Sequence, residues 1–318
     1  MFWEFLPDKP AVELCPPDAF HPEIFRRVTF RRVGKLSWEA VAEQISGQQQ
    51  ALCIVNSRKS AQKIYSLLDP ERAFHLSTLM YPAHRKSILN EIRSRLKDGL
   101  PCRVVSTSLI EAGVDVDFPA VFREETGLDS ILQAAGRCNR EGKRPAGESV
   151  VTIFQGETPP PALFEIPVAA GRQALNRYDC PDSPEAIRCY FQELLDLKGP
   201  EALDQKNILT AMERHYMPFR KIAERFHLID SETKTIYIPL GEGEQLIQRL
   251  RSGERSRALF RALGQYGVSV YPQHFETLYL AGDLEVLEDG SAVLTNLALY
   301  DSATGLSMTV DSGKGLFI

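Results

Sequence analysis

Residues 103–143 read RVVSTSLIEAGVDVDFPAVFREETGLDSILQAAGRCNREGK, and this stretch decides the fold class. It continues a short β-branched run, Cys102–Ser106, of the kind that forms a fully buried strand. A polar turn follows the run and leads into a short helical turn. Ligands of open parallel sheets bind at the carboxyl ends of the strands, so we expect Thr107, Gly113 and Asp115 to lie near a ligand.

A second strand in this stretch leads to a helix that begins near Leu128. On that helix the spacing of Gln133, Arg137 and Arg140 predicts that the three side chains lie on one face. Two arginines on one face suit a polyanion. Gly136 would remove a side chain where another group comes close, although glycine inside a helix costs roughly 1 kcal/mol.

Two ordered motifs in the stretch resemble those of a known enzyme class. The order Gln-x-x-Gly-Arg-x-x-Arg after Ser-Thr-x-x-x-Glu-Ala-Gly-Val-Asp resembles motifs VI and V of superfamily 2 helicases. The fuller wording, IEAGVDVDF followed by LDSILQAAGRCNREG, is similar to the helicase-nuclease of type I CRISPR systems. The strand at 51–56 resembles motif IV, and HLSTLMYPAHR at 75–85 resembles the motif that follows it. FRKIAERFHLID, LIQRLRSG and QYGVSVYPQHF resemble the C-terminal domain of this family more loosely.

The resemblance implies a role for each motif residue. Arg140 would be an arginine finger that reaches ATP held by another RecA-like domain, and Arg137 would be a second phosphate contact. Gln133 would be a positioning group and Asp115 a partner of the ribose. The other implied site residues are Gly113 and Gly136 on the nucleotide side, and Thr107, Asn56 and Ser57 on the DNA backbone. From the residues alone, Asp115 could instead cap a turn, and Asn56, Ser57 and Thr107 could equally be helix caps.

Strand and helix patterns alternate along the first half of the chain. Predicted strands at 51–56, 73–78, 102–106, 120–124 and 149–154 indicate an α/β, RecA-like doubly wound parallel sheet, followed by a smaller mixed α+β C-terminal domain. A run at 24–33 with four arginines predicts an edge strand. We expect an N-terminal connecting segment at 1–25, a second RecA-like domain at 26–156, a linker with a helix at 157–206 and a C-terminal accessory domain at 207–318.

Prolines and short apolar runs shape the predictions for the second half. Repeated proline at 157–167 predicts a boundary that continues neither helix nor strand. Glycine-containing turns at 276–318 predict antiparallel β structure. Tyr266, Tyr271 and Phe275 could stack on bases, but their spacing among valines favours core packing.

Composition limits the class of protein. The chain has 318 residues, 43% of them hydrophobic, and no apolar run near the roughly 18 residues that span a bilayer. The N-terminus lacks a secretion signal, so we expect a cytoplasmic protein with no membrane partner. Six cysteines without a C-x-x-C pair predict neither a metal site nor disulfides. Residues 1–155 carry a net charge of +2 and the remainder −7, which leaves single-stranded DNA possible as a partner of the first half.

Several elements of a complete motor of this kind are missing from the sequence. The phosphate-loop motif G-x-x-x-x-G-K-[ST] does not occur, and neither does the Asp-Glu metal motif that goes with it. No histidine is followed by aspartate as in the nuclease of the family. We therefore expect ATP and Mg²⁺ only at an interface with a first RecA-like domain, and neither bound by this chain alone.

The sequence supports one main hypothesis of function and two rivals. In the first, the chain is the C-terminal half of an ATP-dependent single-strand DNA translocase and helicase of CRISPR interference. Its expected partners are single-stranded DNA, the missing helicase-nuclease half and the CRISPR surveillance (Cascade) complex. In the second, it is a non-catalytic module that binds DNA or that complex without turnover. A third hypothesis, a doubly wound enzyme such as a nucleotide-sugar transferase, leaves the paired arginines unexplained.

Overall fold

The computed structural model describes residues 26–111, 113–199, 202, 204–212, 217–226 and 233–307. The predicted connecting segment at 1–25 lies outside the described residues, as does the end of the predicted β region at 308–318. No helix in the described part of the chain combines the length and the apolar character needed to cross a membrane.

A six-stranded parallel sheet forms the first half of the protein, and it confirms the predicted RecA-like doubly wound fold. Its order is β1-β6-β5-β2-β4-β3, and each neighbouring pair is parallel. The predicted edge strand lies at one margin, beginning at residue 29. The strands are β1 (Thr29–Lys35), β2 (Gln50–Ile54), β3 (Ala73–Leu76), β4 (Cys102–Ser106), β5 (Ala120–Glu124) and β6 (Val150–Gln155).

Alternation along the central strands divides the core between the two faces of the sheet. Leu52 and Ile54 of β2 face one core, whereas Ala51 and Cys53 face the other, and all four are fully buried. A strand buried on both faces is expected to be apolar throughout, which explains the uninterrupted run in the sequence. The helices that cover the sheet are α1 (Trp38–Ser46), α2 (Arg58–Tyr65), α3 (Pro82–Lys97) and α4 (Leu128–Ala135).

Two long helices follow the sheet where the sequence predicted a proline-rich boundary and a linker. They are α5 (Ala162–Arg177) and α6 (Pro184–Lys198). The expected break at 157–167 is wrong from residue 162 onward, and Pro167 lies inside α5. The helix is held by tertiary packing of its apolar face against α4 and Ile153, which outweighs the local cost of about 3 kcal/mol for an interior proline.

The C-terminal unit has a smaller four-stranded sheet, which confirms the predicted mixed α+β region. Its strands lie in the order β8 (Gly267–Val270), β7 (Lys234–Tyr237), β10 (Ala292–Leu294) and β9 (Leu284–Val286). Strand β10 pairs antiparallel with β9, as predicted for the region 276–318, and its parallel pairing with β7 outside that region makes the sheet mixed. Residues 276–280 of that region are helical instead, because Pro272 occupies the first turn of a helix, where a missing N–H costs nothing.

These elements are α7 (Ile208–Met212), α8 (Phe219–Arg225), β7 (Lys234–Tyr237), α9 (Glu242–Arg251), α10 (Arg257–Leu263), β8 (Gly267–Val270), α11 (Pro272–Leu280), β9 (Leu284–Val286) and β10 (Ala292–Leu294). A hairpin of β11 (Tyr300–Asp301) and β12 (Gly305–Leu306) completes the unit.

The segment after β3 joins the two sheets. Leu79 is fully buried in the core of the C-terminal unit, and its carbonyl accepts a hydrogen bond from the Leu306 N–H at 2.9 Å. Tyr81 stacks on Tyr300 with ring centroids 5.2 Å apart. The segment that resembles the motif after motif IV therefore holds the C-terminal unit in place.

Candidate functional site

The segment between β4 and β5 crosses one face of the sheet, from the carboxyl end of β4 to the amino end of β5. Val116 and Phe118 point inward and join the core, whereas Asp115 and Asp117 alternate with them and point outward. The sequence predicted that Asp115 lies at the carboxyl end of a strand, and this prediction is wrong. Asp115 lies on the crossing segment, which separates it from Thr107.

Helix α4 ends before the paired arginines, so the prediction that they share a helix face with Gln133 is wrong. The helix stops at Ala135 with Gly136 as its C-cap, and Asn139 adopts a left-handed φ of 46°. The buried Asn139 side chain donates hydrogen bonds to the carbonyls of Arg27 and Arg144, at 2.8 and 2.7 Å. These bonds stabilise a tight turn in place of another helical turn, and the turn points the two arginines in different directions.

Arg137 is a buried residue that fixes the turn after β4. Its side chain donates hydrogen bonds to the backbone carbonyls of Ile110, at 3.0 Å, and of Glu111. Burial lowers the pKa of the guanidinium, the nearby charge of Arg140 lowers it further, and Asp115 opposes both effects. Since two of its nitrogens bind backbone carbonyls, Arg137 is positioned to hold this turn and not to reach a phosphate outside the chain.

Arg140 is exposed and belongs to a group of four charged residues that we call the arginine cluster: Asp115, Asp117, Arg140 and Arg144. The Arg140 guanidinium lies 2.9 Å from Asp115, with 43% and 81% of the two side chains exposed. Asp117 accepts a hydrogen bond from the backbone N–H of Arg140 at 2.8 Å, and it forms an ion pair with the Arg144 guanidinium at 3.2 Å. An exposed ion pair contributes about 0–1 kcal/mol, so Arg140 can exchange Asp115 for another anion at little cost.

A cavity of about 400 Å³ lies beside the arginine cluster, between α3 and the turns around residues 115–117 and 141–144. Four basic and three acidic side chains line it, and Lys143 pairs with Glu141. Its lining is therefore nearly neutral, and the cavity by itself does not select a polyanion. Any preference for phosphate must come from Arg140 when it leaves Asp115.

A second group of polar and charged residues, of which the sequence predicted only Asn56 as a site residue, lies at the carboxyl edge of the sheet. We call Asn56, Glu111, Arg123 and Glu124 the edge cluster. Arg123 is fully buried, donates to Asn56 Oδ1 at 2.8 Å and lies 2.8 Å from Glu111. Burial raises the pKa of Glu111 and of Glu124, and the Arg123 charge opposes the rise in both. A charged residue at the end of a strand predicted to be buried was the signal that could have revealed this cluster.

The residues predicted to contact a DNA backbone meet at this edge, in different environments. The Asn56 N–H donates to Glu124 at 2.7 Å, and its side-chain amide donates to the Glu125 carbonyl at 2.8 Å. Ser57 is the N-cap of α2, as its helix-cap alternative predicted. Thr107 is half-buried and makes no side-chain cap bond to the turn that it precedes.

The other predicted nucleotide-side residues are Gln133, Gly113 and Gly136. Gln133 is exposed near the end of α4. Gly113 has a φ of 72°, which a side chain rarely adopts, so glycine allows the turn that starts the crossing segment. A Cβ on Gly136 would lie 3.2 Å from the Gln133 carbonyl of the same helix, so the close neighbour of this glycine is its own helix.

Comparison with known proteins adds to this geometry. The family described as CRISPR-associated nuclease/helicase Cas3, C-terminal, matches residues 47–143, which contain the edge cluster and all of the arginine cluster except Arg144. The Cas3 of Haloferax volcanii is 46% identical over 74 residues, covering 22% of this chain and 8% of the relative. The Cas3 of Methanothermobacter thermautotrophicus is 27% identical over 139 residues, covering 42% and 17%. The resemblance to the C-terminal part of Cas3 is confirmed.

The fold agrees with solved Cas3 structures over most of the chain. T. fusca Cas3 with AMPPNP matches at a TM-score of 0.56 and 16% identity, over 88% of this chain and 42% of that one. A chain of a CRISPR RNA-guided surveillance complex, pre-nicking, matches at 0.51 and 16%, over 88% and 44%. At this identity the likeness shows the fold alone. The chain spans less than half the length of these Cas3-like relatives.

Proposed function

We propose that this chain supplies the second RecA-like domain and the C-terminal part of an ATP-dependent single-strand DNA translocase that acts in CRISPR interference. The observation that carries the proposal is the environment of Arg140, which is exposed and paired with an exposed carboxylate. A guanidinium is planar and permanently charged, and it donates in a fork that matches phosphate oxygens. Arg140 is thus suited to an anion presented by another domain.

The arginine cluster fits the nucleotide that Cas3 structures with ATP, AMPPNP and ADP suggest for this family. When bound at a domain interface, ATP would supply the phosphoryl group whose transfer drives the motor. Arg140 would then stabilise the charge that develops on that group. Arg137 acts through the backbone: by holding the carbonyls of Ile110 and Glu111, it positions the segment that carries Asp115.

Thr107, Asn56 and Ser57 support the assignment of the carboxyl edge to the DNA strand. They follow β2 and β4, which are neighbours in the sheet, so their turns lie side by side. The Arg123 guanidinium lies 2.8 Å from Glu111, and Arg137 donates to the Glu111 carbonyl, so Glu111 links the edge cluster to Arg137, three residues before Arg140. We infer that strand binding at one cluster and nucleotide binding at the other are coupled by this contact.

A second candidate is a module that binds DNA or the surveillance complex without turnover. The absence of a phosphate-loop motif from all 318 residues favours it. The two candidates differ in what the chain does when a first RecA-like domain is supplied.

ATP hydrolysis by the purified chain distinguishes the candidates. We expect no turnover by the chain alone, since it lacks the residues that hold the phosphates and Mg²⁺. Addition of a Cas3 nuclease and first RecA-like region should produce hydrolysis that single-stranded DNA stimulates. DNA binding that is never accompanied by turnover in this mixture would favour the binding module. Turnover by the chain alone would contradict both.

A further inference from the structure

Arg58 and Tyr271 form a contact between the two units at the carboxyl edge of the sheet. Arg58 begins α2 directly after Asn56 and Ser57, and Tyr271 precedes α11 of the C-terminal unit. The Arg58 guanidinium carbon lies 5.2 Å from the centre of the Tyr271 ring. The C-terminal unit therefore presents an aromatic ring beside the turn that resembles motif IV.

Tyr271 is not a core residue, which corrects the core packing that the sequence favoured for it. The residue is 60% exposed, whereas Tyr300 in the same unit is 8% exposed. Arg58 lies over the ring, and more than half of the Tyr271 surface is accessible to solvent in spite of this contact. A cation–π contact at an exposed site contributes about 0.5–1 kcal/mol, so joining the units does not require this ring.

The charges near the ring suit a nucleic-acid strand. Arg58 and the exposed Lys59 are consecutive basic residues, and the adjacent turn carries Ser57. Proteins that bind single strands without regard to sequence combine basic side chains for the phosphates with aromatic rings for the bases. An arginine held against one face of the ring also fixes its orientation, which reduces the entropy lost when a base stacks on the other face.

We propose that Tyr271, backed by Arg58, is a stacking platform for one base of a single strand bound at the Asn56–Lys59 turn. The inference rests on the strand-binding function proposed above and adds a contribution of the C-terminal unit to it. Stacking of a base on an aromatic side chain is tolerant of sequence, as a translocase requires.

Binding of a fluorescein-labelled oligothymidine of about 16 nucleotides to the full chain tests the platform by fluorescence anisotropy. Tyr271→Ala should weaken binding about 5- to 150-fold, the loss expected for one stacked base. The slope of log affinity against log salt should stay unchanged, because stacking releases no counterions. Tyr271→Trp should restore the affinity. Tyr279→Ala, which removes an exposed tyrosine of α11, should have no effect.

An oligonucleotide of abasic sites separates base stacking from a structural effect of the substitution. When the bases are removed, the wild-type chain should lose more affinity than Tyr271→Ala does. The ratio of the two losses should equal the ratio of the two affinities for oligothymidine. Tyr271→Leu, which keeps the apolar bulk, should behave as Tyr271→Ala does. Salt-dependent binding that is insensitive to Tyr271, or equal abasic losses, would overturn the platform alone. No binding by the wild-type chain at low salt would overturn the strand-binding function itself.

Discussion

Arg137 and Arg140 are three residues apart, yet the turn at Asn139 gives them opposite environments. Arg137 is buried with two nitrogens on backbone carbonyls, and Arg140 is exposed in an ion pair. Arg137→Ala should lower the free energy of unfolding by about 2–4 kcal/mol, because buried carbonyls lose a charged donor. Arg140→Ala should lower it by less than about 1 kcal/mol. Urea denaturation of the two variants checks this difference, and equal stabilities would contradict the assigned roles.

The burial of His75 leads to a prediction of how the stability of the protein depends on pH. The side chain is 1% exposed, and neither ring nitrogen has a hydrogen-bond partner among the described residues. Burial lowers its pKa from 6.5 to about 4, against the attraction of Asp301. Between these values the unfolded chain binds a proton that the folded chain does not, so the stability is lost as the pH falls through this window. The loss is about 3 kcal/mol.

Urea denaturation at about pH 7 and about pH 4.5 measures this effect. His75→Leu should lose less stability than the wild-type chain on acidification, because it removes the titrating group and leaves the carboxylates in place. The same loss in both proteins would show that His75 does not titrate as its burial implies.

At the scale of elements, the sequence predicted the buried strands well, because five of them are short β-branched or apolar runs with a clear start and end. Helix ends were predicted less well. The periodicity that placed Arg137 on α4 continues past Ala135, but the turn there depends on bonds from Asn139 to residues as distant as Arg27. Helix α5 passes through Pro167 because of its packing on α4. Neither contact can be read from a local pattern.

A substitution at Gly305 in strand β12 tests the contact between the two units. Gly305 has a φ of 82°, and a Cβ there would lie 2.5 Å from the Leu79 carbonyl oxygen. Gly290 has a φ of 81° with no atom within 4 Å of its Cβ position. Gly290→Ala should cost about 1–2 kcal/mol for the left-handed backbone alone. Gly305→Ala should cost about 1–3 kcal/mol more, because the added methyl displaces Leu79.

Thermal unfolding of the two alanine variants checks this prediction. Because the two glycines have nearly equal φ values, the backbone cost cancels in the difference between the two melting temperatures. Equal melting temperatures would mean that β12 does not pack against Leu79 as described.

At the scale of the whole molecule, the motifs predict candidate residues for the site, but only part of their layout. The motifs point to Arg140, Asp115, Thr107 and Asn56, which the structure divides between an outward-facing cluster and the half-buried carboxyl edge of the sheet. Arg123 was missed, because its role comes from Glu111 and Asn56, which belong to other turns. The division follows from the crossing segment after β4, whose course depends on the sheet order and not on a local pattern.

The central claim is that Arg140 stabilises phosphoryl transfer in a motor completed by a first RecA-like domain. The direct measurement is kcat for DNA-stimulated ATP hydrolysis by that reconstituted enzyme, with nucleotide affinity measured separately. Arg140→Ala should lower kcat by about 10³–10⁵ with little change in affinity, and Arg140→Lys should recover little of it. Arg249→Ala, which breaks an exposed ion pair with Glu254 in the C-terminal unit, should leave kcat unchanged. Near-normal turnover by Arg140→Ala would contradict the account.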